Sequence, residues 1–409
     1  MLSSFQLSPA ALAALTDVFT YLHAHPELSF QERSTAGYLK ELYRTLSLGA
    51  GVNLEIVDVT DTGFVVVLRH GEGPVVAYRC DLDGLPVTEQ TGLPYVSHAR
   101  GEIDGAETGI MHACGHDSHM AVTYGTAQFL AAHPEVWAGT VEFIHQPSEE
   151  NGKGAQFMVD GGLWDRVPAP EILYGAHCAP LPVGTIVLTN GPIMAGIDGF
   201  KVEVRGKGGH GSRPQTTVDP IVLGAAMIMR LQTVISREVS PDDMAVITVG
   251  SFRGGLVDNV IPDTAEMQLT TRFRTNAVRD QLRAAITRVL RAEAAASGAP
   301  EPGIELVAPL PATVNDSAAT EALRPAFTDA FGDRVVELRQ NGSEDFALLA
   351  APLGLPYVYW QFGGFSAAQM ADGRDISNHS PFYYVDPAAL EPAVKAALLA
   401  ILSRVGTQG

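Results

Sequence analysis

Nine residues, MHACGHDSH at Met111 to His119, set one cysteine among three histidines and an aspartate. Thiolate and neutral imidazole are soft and borderline metal donors, so Cys114, His116 and His119 are candidate ligands, and Asp117 is suited to orient an imidazole. Cys114 and His116 supply two ligands at most from one tight loop, whereas a closed structural zinc site needs four. The others must come from elsewhere. Glu149 and Glu150 adjoin after TVEFIHQPS, His177 closes the apolar run ILYGA, and His379 lies in NHSPF. Taken singly these are ordinary: two solvated loop acids, a hydrogen-bonded core histidine, a loop histidine. Together Cys114, His116, Glu150, His177 and His379 offer sulfur, nitrogen and oxygen donors enough for two divalent cations. In an extended loop neighbouring side chains point oppositely, so one carboxylate of the Glu149–Glu150 pair can hold a metal while the other faces a water.

The segments carrying these residues share a pattern. VVAYRC (75–80) runs into DLDGLP, TVEFIH (140–145) into QPSEE and ILYGA (172–176) into His177 and Cys178, while YVYWQF (357–362) precedes a glycine-rich loop and then NHSPF. Each reads as a buried strand with its polar residues at the carboxyl end. Helical patterns lie between, at 118–132 and 387–405. Alternating strands and helices predict an α/β domain with a mostly parallel sheet flanked by helices, and such sheets bind ligands beyond the carboxyl ends of their strands. The middle of the chain differs. From Gly199 it reads strand (GFKVEVRG), helix (219–238), strand (AVITVGSF), strand (TAEMQLTTRF), helix (277–295) and strand (GIELVA). That order, βαββαβ, is the split ferredoxin-like α+β unit. It predicts a smaller domain over 192–308, inserted into a discontinuous domain formed by 1–191 and 309–409.

Composition agrees with two globular domains: 409 residues exceed the size at which one core keeps growing, and 46% hydrophobic residues can fill two. The start, MLSSFQLSPAALAALTDVF, has no basic leader and reads as an amphipathic helix, and no apolar run reaches membrane-span length. Three scattered cysteines argue against a disulfide framework and for a reducing cytoplasm. A net charge of −19 disfavours nucleic acid and anionic membrane as partners.

The motifs HPELSFQE (25–32), DLDGLP (81–86), MHACGHD (111–117), HQPSEE (145–150), GAHC (175–178), GKGGHGSRP (206–214), NVIPD (259–263), GSEDF (342–346) and NHSP (378–381) run in order over nearly the whole chain. In them the sequence resembles the metal-dependent amidohydrolases of the M20 peptidase family, in particular the subgroup of hippurate hydrolases, auxin-conjugate hydrolases and bacterial aminoacylases. The resemblance implies a catalytic α/β domain interrupted by a lid that also forms a homodimer interface. It makes Cys114, His116, Glu150, His177 and His379 the ligands of two divalent metals and Glu149 the general base. The wider family begins the site with His-x-Asp, whereas this chain has Arg79, Cys80 and Asp81. In the resembled subgroup the histidine of the HACGHD motif takes over that role and Cys114 the bridging position, leaving Asp81 as an orienting residue or a strand-end cap. Cys80 and Cys178 are expected to be small buried residues. The lid motif usually ends in Pro-His, but Gln215 stands where that histidine would be.

By the same resemblance, Asn259 and Arg272 hold the substrate carboxylate, Arg272 with a planar fork. His210 reaches from one subunit to donate to the oxyanion of its partner's site. The run SEDF at 343–346 reads as a helix N-cap. The implied reaction is hydrolysis of the amide bond of a small N-acyl amino acid, with Glu149 moving the proton. Zinc, manganese, nickel and cobalt are not ranked by these donors. Two other readings are a dipeptidase or carboxypeptidase using the same site, and a metal-dependent binding protein that has lost catalysis, against which Glu149 stands.

Overall fold

The structure, a computed structural model, describes residues 6–407. The chain divides into two compact units. One comprises 1–193, 315–339 and 345–409, and the other 194–314 with 340–344. The sequence pattern placed the inserted domain at 192–308. The contacts extend it because the strand Gly303–Leu310 pairs along Gly196–Arg205 as far as Leu310 opposite Ile197. The segment 340–344 joins it through Ala195 N–H donating to the Gly342 carbonyl (3.0 Å).

The larger unit is built on an eight-stranded mixed sheet. Its order is Asn53–Asp58, Phe64–His70, Gly139–Gln146, Val75–Asp81, Ile172–Pro182, Tyr357–Phe365, Ile186–Val187, Val335–Val336. The four central strands are mutually parallel, while the first two and Ile186–Val187 pair antiparallel to their inner neighbours. Central parallel strands are covered on both faces, which is why VVAYRC and TVEFIH are apolar without alternation. On one face Val76, Tyr78, Val141 and Phe143 pack into the core with the helices Pro9–Ala24, His116–Ala132 and Leu390–Val405. Arg79 and Gln146 lie on the other face with Asp345 and the short helix Gly154–Asp160. The parallel strands all end at the same edge of the sheet, so Asp81, the loop after Gln146 and His177 emerge together.

The smaller unit is an antiparallel sheet of order Ala245–Gly254, Thr264–Phe273, Gly196–Arg205, Gly303–Leu310, with the helices Pro220–Arg237 and Asn276–Ala296 packed around their own core. This is the βαββαβ arrangement. Asp219 and Thr275 cap the two helices by accepting from backbone N–H groups of the first turn. A two-stranded ribbon, Gly209–His210 with Val260–Ile261, projects from the end where Thr264 begins its strand. Among the described residues no helix is long and apolar enough to cross a membrane.

Candidate active site

Gly115 makes the turn on which the site depends. Its φ of 84° is left-handed, and a Cβ there would come within 2.7 Å of the Tyr383 hydroxyl, so only glycine fits. The chain reverses between Cys114 and His116, and His116 opens the helix His116–Ala132, two residues ahead of the expected start at Ser118. Both side chains are buried.

Hydrogen bonds fix which imidazole nitrogens face the site. His116 Nδ1 donates to the Asp83 carbonyl (2.8 Å), leaving the Nε2 lone pair pointing at Glu149 Oε2 (3.7 Å) and Glu150 Oε1 (3.8 Å). His177 Nδ1 donates to the Cys178 carbonyl (2.6 Å) and presents Nε2 to Cys114 Sγ at 3.4 Å. His379 Nε2 lies 3.4 Å from Glu150 Oε2. The donor atoms therefore fall into groups with all separations within 4.8 Å, among them Cys114–His116–His177, Cys114–Glu150–His379 and His116–Glu149–Glu150, and Cys114 belongs to the first two.

Donor atoms that converge in this way suit a cation. His116 Nε2 and Glu150 Oε1 are buried and have no hydrogen-bond partner among the described residues. Burial raises the Glu150 carboxyl to about 7 against the pull of His116. Burial, with Glu150 and Glu149, pushes the Cys114 thiol well up. His116 is opposed by burial, yet Asp81, Asp83 and Glu150 raise it to about 10. Burial disfavours the anionic forms of Glu150 and Cys114, and divalent cations would relieve that cost. A thiolate with two imidazoles and a thiolate with a carboxylate and an imidazole, sharing one sulfur, fit a pair of such ions.

Two expectations are corrected. The segment after the strand Gly139–Gln146 is a turn, with Ser148 at φ 55°, so Glu149 and Glu150 do not point oppositely but both face His116 Nε2. Asp83 imposes this: its carboxylate accepts from the N–H groups of Glu149 (3.0 Å) and Glu150 (3.1 Å) and from Ser29 Oγ (2.7 Å). Glu32 holds the turn from the other side by accepting from Ser148 N–H (2.9 Å). Secondly, Asp345 in the SEDF run caps no helix of its own, since Phe346 precedes Ala347–Ala350 without a side-chain cap. Its carboxylate instead accepts from Arg79 (3.0 Å), Gln146 (2.7 Å) and Ala155 N–H (2.9 Å), at the start of Gly154–Asp160.

His119 is not available to a metal. Its Nε2 accepts from Cys178 N–H (2.8 Å), so Nδ1 carries the proton and donates to Asp81 Oδ2 (3.0 Å). Asp81 thus orients His119, and through it the strand end bearing His177, while pairing with Arg79. Arg79, which stands in place of the wider family's histidine, holds Asp81 and Asp345 together as a fully buried cation. Cys80 and Cys178 are buried and unpaired by disulfide.

The sequence pattern had not singled out Asp83 or His23, and it marked Arg79 only as the departure from the wider family's histidine. The spacing Asp81-x-Asp83 at a strand end was the signal for the first. His23, on Pro9–Ala24, contacts Asp117 Oδ2 from Nδ1 (2.7 Å) and Glu89 Oε1 from Nε2 (3.1 Å), with all three side chains buried. Two carboxylates engage both ring nitrogens as an imidazolium would. Burial opposes the charge, but Asp117 and Glu89 prevail and raise His23 to about 9. A pKa raised above the ordinary ~6.5 gives stability fully present below pH ~6.5 and lost as pH climbs through the folded value. In urea denaturation of metal-free protein, His23→Gln is expected to cost roughly 3–5 kcal/mol at pH 6. The difference from wild type should narrow between pH 6.5 and about 9. An equal difference at pH 6 and pH 10 would show that the charge contributes nothing.

In the smaller unit His210 and Asn259 lie at the tip of the ribbon, where Gly211 N–H donates to the Asn259 carbonyl (2.9 Å) and both residues are exposed. Ser212 N–H donates to His210 Nδ1 (3.1 Å), so the neutral ring carries its proton on Nε2 as an outward donor. Arg272 is half-buried near the far end of Thr264–Phe273, donating to Ser343 Oγ (2.5 Å). Asn259 and Arg272 are not brought together. The stretch Thr264 to Arg272 alone spans roughly 26 Å at about 3.3 Å per residue.

Comparisons with known proteins place the chain in a family. Residues 77–403 match the model of peptidase family M20/M25/M40. The chain is 40% identical over 332 residues to an N-acetylcysteine deacetylase of Bacillus subtilis, covering 80% of this chain and 82% of that protein. It is 34% identical over 375 residues to an IAA-amino acid hydrolase, ILR1-like 4, of Arabidopsis thaliana, covering 90% and 80%. The crystal structure of the Bacillus subtilis YXEP protein, described as a dinuclear metal-binding peptidase of the M20 family, superposes with a TM-score of 0.80 at 32% identity over 97% of this chain and 98% of that one. With the matched residues spanning both units and every candidate ligand, the chain belongs to peptidase family M20/M25/M40 and is a hydrolase of amide bonds.

Proposed function

We propose that the protein cleaves the amide bond of small N-acyl amino acids, as a homodimer loaded with two divalent ions, zinc or manganese. The observation that carries this reading is the pair of carboxylates facing one imidazole lone pair. Glu150 also reaches His379 and so belongs with the ligands, which leaves Glu149 to move a proton. When bound, the ions polarise the amide carbonyl and render a water nucleophilic near neutral pH. Glu149 accepts the proton of that water and returns it to the departing nitrogen. His210 Nε2–H donates to the oxyanion, and the Arg272 guanidinium receives the substrate carboxylate in bidentate fashion.

A distance supports the homodimer. His210 and Asn259 occupy one end of the smaller unit and Arg272 lies roughly 26 Å along the strand, farther than a small acyl amino acid spans. On this reading, residues acting on one substrate come from two copies. The smaller unit has the surface for it: Val222 and Met229 on Pro220–Arg237 are exposed, and Ala245–Gly254 is an edge strand bearing the exposed Val246.

The test is amine release from acetyl, benzoyl and indoleacetyl amino acids set against dipeptides with a free α-amino group. Acyl substrates should be cleaved, chelation should abolish cleavage, and zinc or manganese should restore it. Preference for the free amine would make the protein a dipeptidase. Tight metal binding with no turnover on any substrate would make it a binding protein.

A further inference from the structure

Asn378 is the residue immediately before the ligand His379, and its backbone is held by its surroundings. His379 adopts a left-handed φ of 71°, and its N–H donates to the Ala113 carbonyl (2.8 Å), one residue from Cys114. On either side Ser377 N–H donates to Asp375 Oδ1 (3.0 Å) and Ser380 N–H to the Ser377 carbonyl (3.1 Å). The strained residue is β-substituted and non-glycine, so the loop holds it there by these contacts. Their effect is to set the Asn378 amide against Cys114, with Nδ2 3.2 Å from Sγ. The orientation is chemically fixed, because a thiolate only accepts and the amide oxygen turned toward it would be repelled.

We propose that Asn378 is a positioning residue for the shared thiolate, donating an N–H···S hydrogen bond that restrains the charge Cys114 gives to the two cations. The inference rests on the assignment of Cys114 as the ligand common to both metal groups. A thiolate is a stronger electron donor than a carboxylate, and a bridging one transfers charge to both ions, lowering the Lewis acidity that amide hydrolysis needs. A hydrogen bond to the sulfur draws part of that density back, as donors to metal-ligating sulfur do in copper and iron–sulfur sites. The amide has the further merit of being neutral: it adds no charge beside His116, His177 and His379, whose lone pairs must stay available.

The experiment uses the protein loaded with cobalt(II), whose sulfur-to-metal charge-transfer band reports the energy of the thiolate lone pairs. Wild type must show that band and Cys114→Ser must lack it. Failure of this step overturns the assignment of Cys114, and the role of Asn378 with it. Given the band, Asn378→Ala and Asn378→Leu are each expected to bind cobalt at wild-type stoichiometry and to shift the band to longer wavelength. In the zinc- or manganese-loaded variants kcat should fall by about 10- to 100-fold, the usual range for partners of metal ligands, with KM little changed. A band at the wild-type position in both variants overturns the proposal. Loss of cobalt from both also overturns it, because a residue that only tempers one ligand does not decide whether the remaining ligands hold the ions.

Discussion

Glu149→Gln should lose about 10²-fold or more in kcat while keeping its metals, and Glu150→Gln should lose the metals themselves. The two residues are neighbours on one turn, share the Asp83 clamp through their N–H groups, and face the same His116 nitrogen at 3.7 and 3.8 Å. The substitution keeps the shape of each, replaces one acceptor oxygen by an NH2 donor, and removes basicity and charge. Because Asp83 holds backbone and not side chains, the turn survives either change. The measurements are metal content by elemental analysis and steady-state kinetics on a cleaved acyl amino acid. Equal metal loss in both variants, or full activity in Glu149→Gln, would refute the division of labour.

His210→Ala is expected to be nearly inactive with its metals intact, since a donor aimed at a developing oxyanion is worth roughly 2.7–4 kcal/mol. The trans arrangement has a sharper consequence. Co-expressed in equal amounts, His210→Ala and Glu149→Gln pair at random, so about half the dimers are mixed, and each mixed dimer holds one doubly damaged site and one intact site. Activity should then recover to about a quarter of wild type. If His210 serves its own chain, every site keeps a defect and nothing recovers. Mixed dimers confirmed by mass, with no rescue, would remove the argument drawn from the separation of Asn259 and Arg272.

The parts of this molecule that were legible in its sequence are those where local pattern and global fold agree. Apolar runs ending in Asp81, His145 and His177 announce central parallel strands, and their shared polarity gathers the polar residues at one sheet edge. The βαββαβ unit was legible for the same reason: its strand Thr264–Phe273 alternates exposed and buried residues along its length, as a sheet with one covered face requires. What stayed hidden depends on partners far along the chain. Nothing near Asp345 foretells that its carboxylate meets Arg79, 266 positions away, in place of its own helix. Nothing in SEE foretells a left-handed serine, because the turn is imposed by Asp83 and Glu32. His119 has the right chemistry for a ligand and is withdrawn by one backbone N–H, that of Cys178.

The placement of the inserted unit has a consequence for the birth of the protein on the ribosome. Cys114, His116, Glu150 and His177 are all made before the smaller unit begins at Met194, whereas His379 follows it. The Tyr357–Phe365 strand that completes the centre of the sheet beside Ile172–Pro182 is equally late. Translation at about 5–20 residues per second separates the early donors from the last one by some tens of seconds at the slow end. During that interval Cys114 lacks both its second metal group and the Asn378 amide. The nascent chain thus exposes a half-built thiolate and imidazole cluster to whatever ions and oxidants surround it. The smaller unit, whose core is its own, is free to fold meanwhile. Maturation of the centre is in this sense a C-terminal event, and a chain cut short before His379 would keep four of its five candidate ligands and be unable to close the second group around an ion.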